Sequence, residues 1–65
     1  MSNEGAFFIL LIEGYAAKTG LSGAAVLERW REHGVVQYAY SMYDLYHLEP
    51  LEDAFEDLDR HMATV

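Results

Sequence analysis

The sequence predicts an all-α protein, a compact bundle of about four short helices in one small domain over residues 1–65. Three observations point there. Apolar residues recur at helical spacing in most of the chain. Serines that start helices and glycines that stop them fall just outside those segments. Nothing reads as a pair of strands, and a lone strand would leave its backbone groups without partners.

Residues 3–19 read as the first helix. Ser2 or Asn3 caps it, and Glu4 sits in the first turn, where a carboxylate complements the helix dipole. Gly20 stops it, because glycine accepts the left-handed conformation at that position. Phe8, Ile12 and Tyr15 mark one face, while Phe7, Leu10, Leu11 and Ala17 cover much of the rest. A helix apolar nearly all round is buried on several sides, either centrally or against a second chain.

The second helix is "LSGAAVLERWREHG", with Ser22 as cap and Gly34 as stop. Val26, Leu27, Trp30 and His33 fall at helical spacing, opposite most of the charges. The short "TGLS" connection makes the first two helices neighbours.

The third segment, "VVQYAYSMYDLYHL", holds Tyr38, Tyr40, Tyr43 and Tyr46. Val36, Tyr38, Tyr40 and Met42 alternate like a strand. Val35, Tyr38, Met42 and Leu45 also fit one helical face, and Val36, Tyr40, Tyr43 and His47 a second. With no strand to pair with, the prediction is a helix over 36–47, with a break near Ser41 allowed by the pattern. One face fills the core. The other is covered by something or stays as an aromatic patch, so these rings read equally as core rim and as interface.

The last helix begins at Pro50, which suits the first helical position. Leu51, Ala54, Phe55, Leu58 and Met62 form its apolar stripe, and Glu56 is spaced to pair with Arg60. The expected core is Phe8, Leu11, Ile12, Leu27, Trp30, Leu45, Phe55 and Leu58.

Composition narrows the function. A chain of 65 residues buries only about 60% of the surface its unfolded form exposes, so its stability margin is thin. It has no cysteine, which excludes disulfides and thiolate metal sites and fits a cytoplasmic location. Its hydrophobic content of 52% makes a dense core and association, with a second copy or another protein, the expected remedies. Eleven carboxylates against four Lys and Arg give a net charge of −7. That sign disfavours nucleic acid and anionic membranes and leaves a basic protein partner open. The longest apolar run, "AFFILLI", falls short of the ~20 residues of a membrane helix.

No catalytic or cofactor-binding constellation is legible, and no metal or cofactor is expected. His33, His47 and His61 sit on separate predicted helices, and the carboxylates of "EPLEDAFEDLD" lack calcium-loop spacing. No nucleophile–base order or phosphate-binding glycine loop occurs. So short a chain hardly encloses a usual substrate pocket of about 300–1,000 Å³, and the chain is not expected to be an enzyme. The candidate interaction residues are Tyr38, Tyr40, Tyr43, Asp44, Tyr46 and His47.

From Leu21 onward the motifs resemble a small bacterial family, domain of unknown function 3791. Its members carry an apolar first helix, an "lSG…V" segment, an aromatic "YD-x-x-H" segment and an acidic terminal helix. Here these are Leu21, Ser22, Gly23 and Val26; Tyr43, Asp44 and His47; and Glu52, Asp53, Ala54, Glu56, Asp57 and Leu58. Many members place a Thr-containing loop after the histidine, where this chain has Leu48, Glu49 and Pro50. The resemblance implies a neighbouring gene for an ADP-ribosyltransferase-like protein and a neutralising, antitoxin-like role for the small chain. The alternative from another class is a helix-turn-helix-like nucleic-acid-binding regulator, for which the second and third helices lack a basic recognition surface.

Overall fold

The computed structural model describes residues 2–64, which form five α-helices and no strand: α1 (Asn3–Thr19), α2 (Gly23–Glu32), α3 (Val36–Ser41), α4 (Tyr43–Tyr46) and α5 (Leu51–Ala63). They fold into a body of 25 × 23 × 19 Å. The architecture is the all-α bundle expected, with one helix more.

The serine and glycine signals act as predicted. Ser2 Oγ accepts from the Gly5 N–H at 3.0 Å, and Ser22 Oγ from the Ala25 N–H at 3.1 Å. Gly34, at φ 70°, ends α2 in a Schellman arrangement: the Val35 N–H donates to the Trp30 carbonyl and the Gly34 N–H to that of Arg31. The same turn drives Val35 into the core at 1% exposure. Pro50 is the residue before α5 rather than its first helical position, extended at ψ 144°.

The segment expected as one helix over 36–47 is two. Met42 leaves helical geometry at φ −86°, ψ 11° and joins α3 to α4. The Ser41 hydroxyl donates to the Tyr38 carbonyl at 2.8 Å, a side-chain bond that competes with the helical ladder. Two core assignments are corrected, the first because the break rephases the faces. Tyr46 takes the core position at 1% exposure, and its neighbour Leu45 turns out to 50%. Leu27 is 40% exposed, because α2 meets the core along the Val26–Trp30 line. Phe8 and Ile12 are half-buried against the core, while Leu11, Trp30, Phe55 and Leu58 are buried as expected.

Trp30 sits at the centre. Tyr15 and Phe8 meet it edge to face at centroid distances of 5.4 and 6.0 Å, and Phe55 meets Tyr15 at 5.6 Å. These apolar rings from α1, α2 and α5 bind the bundle together. Gly14 lets α1 approach α5: a Cβ there would lie 2.8 Å from Phe55 Cζ. Gly14→Ala should therefore destabilise the fold by about 1–2 kcal/mol net, overpacking exceeding the gain in helix propensity. A denaturant midpoint at or above that of the wild type would show that Phe55 moves aside at little cost.

The expected Glu56–Arg60 pair does not form. Arg60 Nη2 donates instead to Asp57 Oδ1 at 3.0 Å, one residue nearer. Among the described residues no helix is long and apolar enough to cross a membrane.

Candidate functional site

The tyrosine segment divides in two. Tyr38 and Tyr46 hold α3 and α4 to α5. Both phenols donate to the same oxygen, Asp57 Oδ2, at 2.6 Å each, and Arg60 satisfies the other. The paired donors hold the Asp57 carboxyl below its ordinary value: the Tyr38 hydrogen bond acts most, then that of Tyr46, against a rise from burial. The phenols move the opposite way. Burial first and Asp57 second push Tyr46 well above the ordinary tyrosine value, and the bond to Asp57 raises Tyr38. At neutral pH the node is a charged acceptor held between two neutral donors and a guanidinium. The His61 ring stacks on Tyr38 at 3.7 Å and 15°, closing its outer side.

Tyr46 is therefore a core and anchoring residue rather than a surface one. Tyr40 and Tyr43 stay more open. Tyr40, 42% exposed, leans on Phe8 at 5.7 Å, and its hydroxyl lies 3.3 Å from Ser2 Oγ. Tyr43 meets Phe7 edge to face at 5.6 Å and stacks on His47 at 4.3 Å and 5°. His47 Nδ1 donates to the Tyr43 carbonyl, so His47 is held by both the ring and the backbone of Tyr43. In the neutral ring this leaves Nε2 as an acceptor. Asp44 is exposed and makes no side-chain hydrogen bond or ion pair among the described residues.

Between α4 and α5 runs an open groove of about 250 Å³ lined by Leu45, Tyr46, Glu49, Asp53, Glu56, Asp57 and Arg60. Leu48 follows Leu45 by one turn, its N–H bonded to the Leu45 carbonyl at 3.1 Å, and is 76% exposed. Leu45 thus lines a groove walled by carboxylates, and the exposed Leu48 lies one turn on from it. No group of three or more His, Cys, Asp or Glu among the described residues could hold a metal ion.

The match to the model of a protein family of unknown function, DUF3791, spans residues 6–64. The chain belongs to this family. No curated protein and no solved structure matches it. The DUF3791 motif residues fall at distinct places in the fold. Ser22 caps α2, Tyr43 and His47 stack at the α1 edge, and Asp57 is the acceptor of the tyrosine node.

The candidate residues read from the sequence do not include Leu45, expected in the core, or Leu48, Asp57 and Arg60. The i, i+3 spacing of Asp57 and Arg60 was a usable signal for their pair. A leucine just before Glu49 and Pro50, outside any helical stripe, was one for Leu48.

Proposed function

We propose that this chain is a small protein-binding module whose contact face is the α4–α5 groove with its flanking Leu45 and Leu48. The observation that carries this reading is the exposure of Leu45 in an acid-walled groove and of Leu48 one turn on, in a segment clamped to α5 through Asp57. Large apolar side chains beside oriented charge suit a partner with an apolar ridge and basic flanks. A rigid anchor limits the ordering cost of binding. Self-association through this face would set Glu49, Asp53 and Glu56 of one copy against those of the other, so the partner is a different protein. We take that partner to be the ADP-ribosyltransferase-like protein that the family resemblance implies, with this chain as its neutralising, antitoxin-like companion.

The test is co-expression with the product of the neighbouring gene, followed by sedimentation of the purified material. The wild type should run at the summed mass. Leu48→Asp should weaken the complex by at least about tenfold, while its own stability shifts by no more than about 0.5 kcal/mol. A wild type that ignores the neighbour and shifts duplex DNA, less so as salt rises, would replace this reading with the nucleic-acid one.

A further inference from the structure

A second concavity lies on another side of the molecule. It is an open cleft of about 430 Å³ lined by Tyr15, Arg29, His33, Asp59, Met62 and Ala63. We propose that this cleft binds a small carboxylate ligand with a short apolar body, its carboxylate held by the Arg29 guanidinium and an N–H of His33.

Basic side chains are scarce in this chain and mostly paired. The chain has only four Lys and Arg against eleven Asp and Glu. Arg31 is paired with Glu28 and Arg60 with Asp57. The other two meet at this cleft: Arg29 lines it, and Lys18 Nζ stands 3.9 Å from Asp59 in its wall. Asp59 is the only carboxylate among the lining residues, and it is already engaged, accepting the Tyr15 hydroxyl on Oδ1 and facing Lys18 on Oδ2. Among the described residues no carboxylate lies within ion-pair distance of Arg29 or His33. The guanidinium also lies near enough to the Tyr15 phenol to oppose the rise that burial and Asp59 impose on it.

Those facts choose the ligand. A guanidinium with no carboxylate partner among the described residues presents a planar fork that matches a carboxylate. Buried Met62, with Ala63, gives the cleft an apolar side for a short hydrocarbon body. One guanidinium balances one negative charge. A dianionic phosphate would carry a second into a molecule of net charge −7, beside Asp59. The volume falls in the usual range of about 300–1,000 Å³ for small-molecule sites.

The experiment is a nuclear magnetic resonance titration of the full chain in a buffer free of carboxylate and phosphate. The probes are isovalerate, acetyl-alanyl-leucine with a free terminus, isovaleramide and inorganic phosphate. The carboxylates should give saturable shifts at Arg29, His33, Met62 and Ala63. Tighter binding of isovalerate would point to a free small acid, and tighter binding of the dipeptide to a chain terminus; either supports the site. Arg29→Gln should weaken binding by at least about tenfold, as loss of a charge-assisted pair requires. Arg29→Lys, keeping the charge without the fork, should fall between, and Arg31→Gln should change nothing. Four results would overturn the proposal: no saturable shift, equal shifts with isovaleramide, stronger binding of phosphate, or unchanged binding in Arg29→Gln. None of them depends on the protein partner of the α4–α5 face.

Discussion

Trp30→Ala should leave this chain without a cooperative thermal transition. The indole is fully buried and touches the rings of Phe8 and Tyr15, which tie α2 to α1 and, through Phe55, to α5. Removing a buried aromatic costs about 3–5 kcal/mol, partly as lost transfer energy and partly as an unfilled cavity. A domain of 65 residues holds roughly 3–10 kcal/mol in all, at about 0.05–0.15 kcal/mol per residue. Substitution therefore removes most of the margin. The loss comes from packing, since Trp30 Nε1 has no hydrogen-bond partner among the described residues. Trp30→Phe, which keeps much of the ring contact, should restore a sigmoidal melt at lower temperature. A cooperative Trp30→Ala melt near that of the wild type would show that the core is organised elsewhere.

The second large effect belongs to Asp57. Asp57→Ala strands the Tyr38 and Tyr46 hydroxyls, one of them on a buried ring. An unsatisfied buried donor costs about 1–3 kcal/mol, and the lost charge-assisted bonds add to it, so the loss should be about 2–4 kcal/mol. Tyr38→Phe and Tyr46→Phe should each lose less, because the carboxylate keeps its other partners. Acid should act through the same group. The Asp57 carboxyl is a stronger acid in the folded chain than at its ordinary value of 3.8. Unfolding in acid thus takes up a proton. The contribution of Asp57 to stability is complete above its unfolded value and disappears as pH falls through the lower folded one. Urea midpoints measured from pH 6 downward should drop across that window in the wild type, and the drop should be shallower in Asp57→Asn. Parallel profiles would mean that Asp57 titrates alike in both states.

Those effects mark where the sequence was readable. Helix ends are chemically local, so Ser2, Ser22, Gly20 and Gly34 announced themselves through the few backbone groups they satisfy or free. The apolar stripe of α5 was equally plain, because one face of a long helix carries it. The break at Met42 was harder. Both faces of 35–48 are apolar, so periodicity alone could not say which ring turns inward once the helix restarts. That is why Leu45 and Tyr46 exchange places: adjacent residues differ by about 100° around a helix, and one residue of rephasing swaps them. The Asp57 node was out of reach for another reason. Its tyrosine partners lie 11 and 19 residues away, and only tertiary packing brings them together.

Amide protection tests whether the α4–α5 groove and its leucines, held by Asp57, meet a partner protein. Hydrogen exchange is measured on the chain alone and with the purified product of the neighbouring gene. Exchange should slow in the complex over Leu45–Glu49 and the first two turns of α5, with α2 unchanged. Protection confined to α1 and α2, with the groove exchanging as in the free chain, would contradict it.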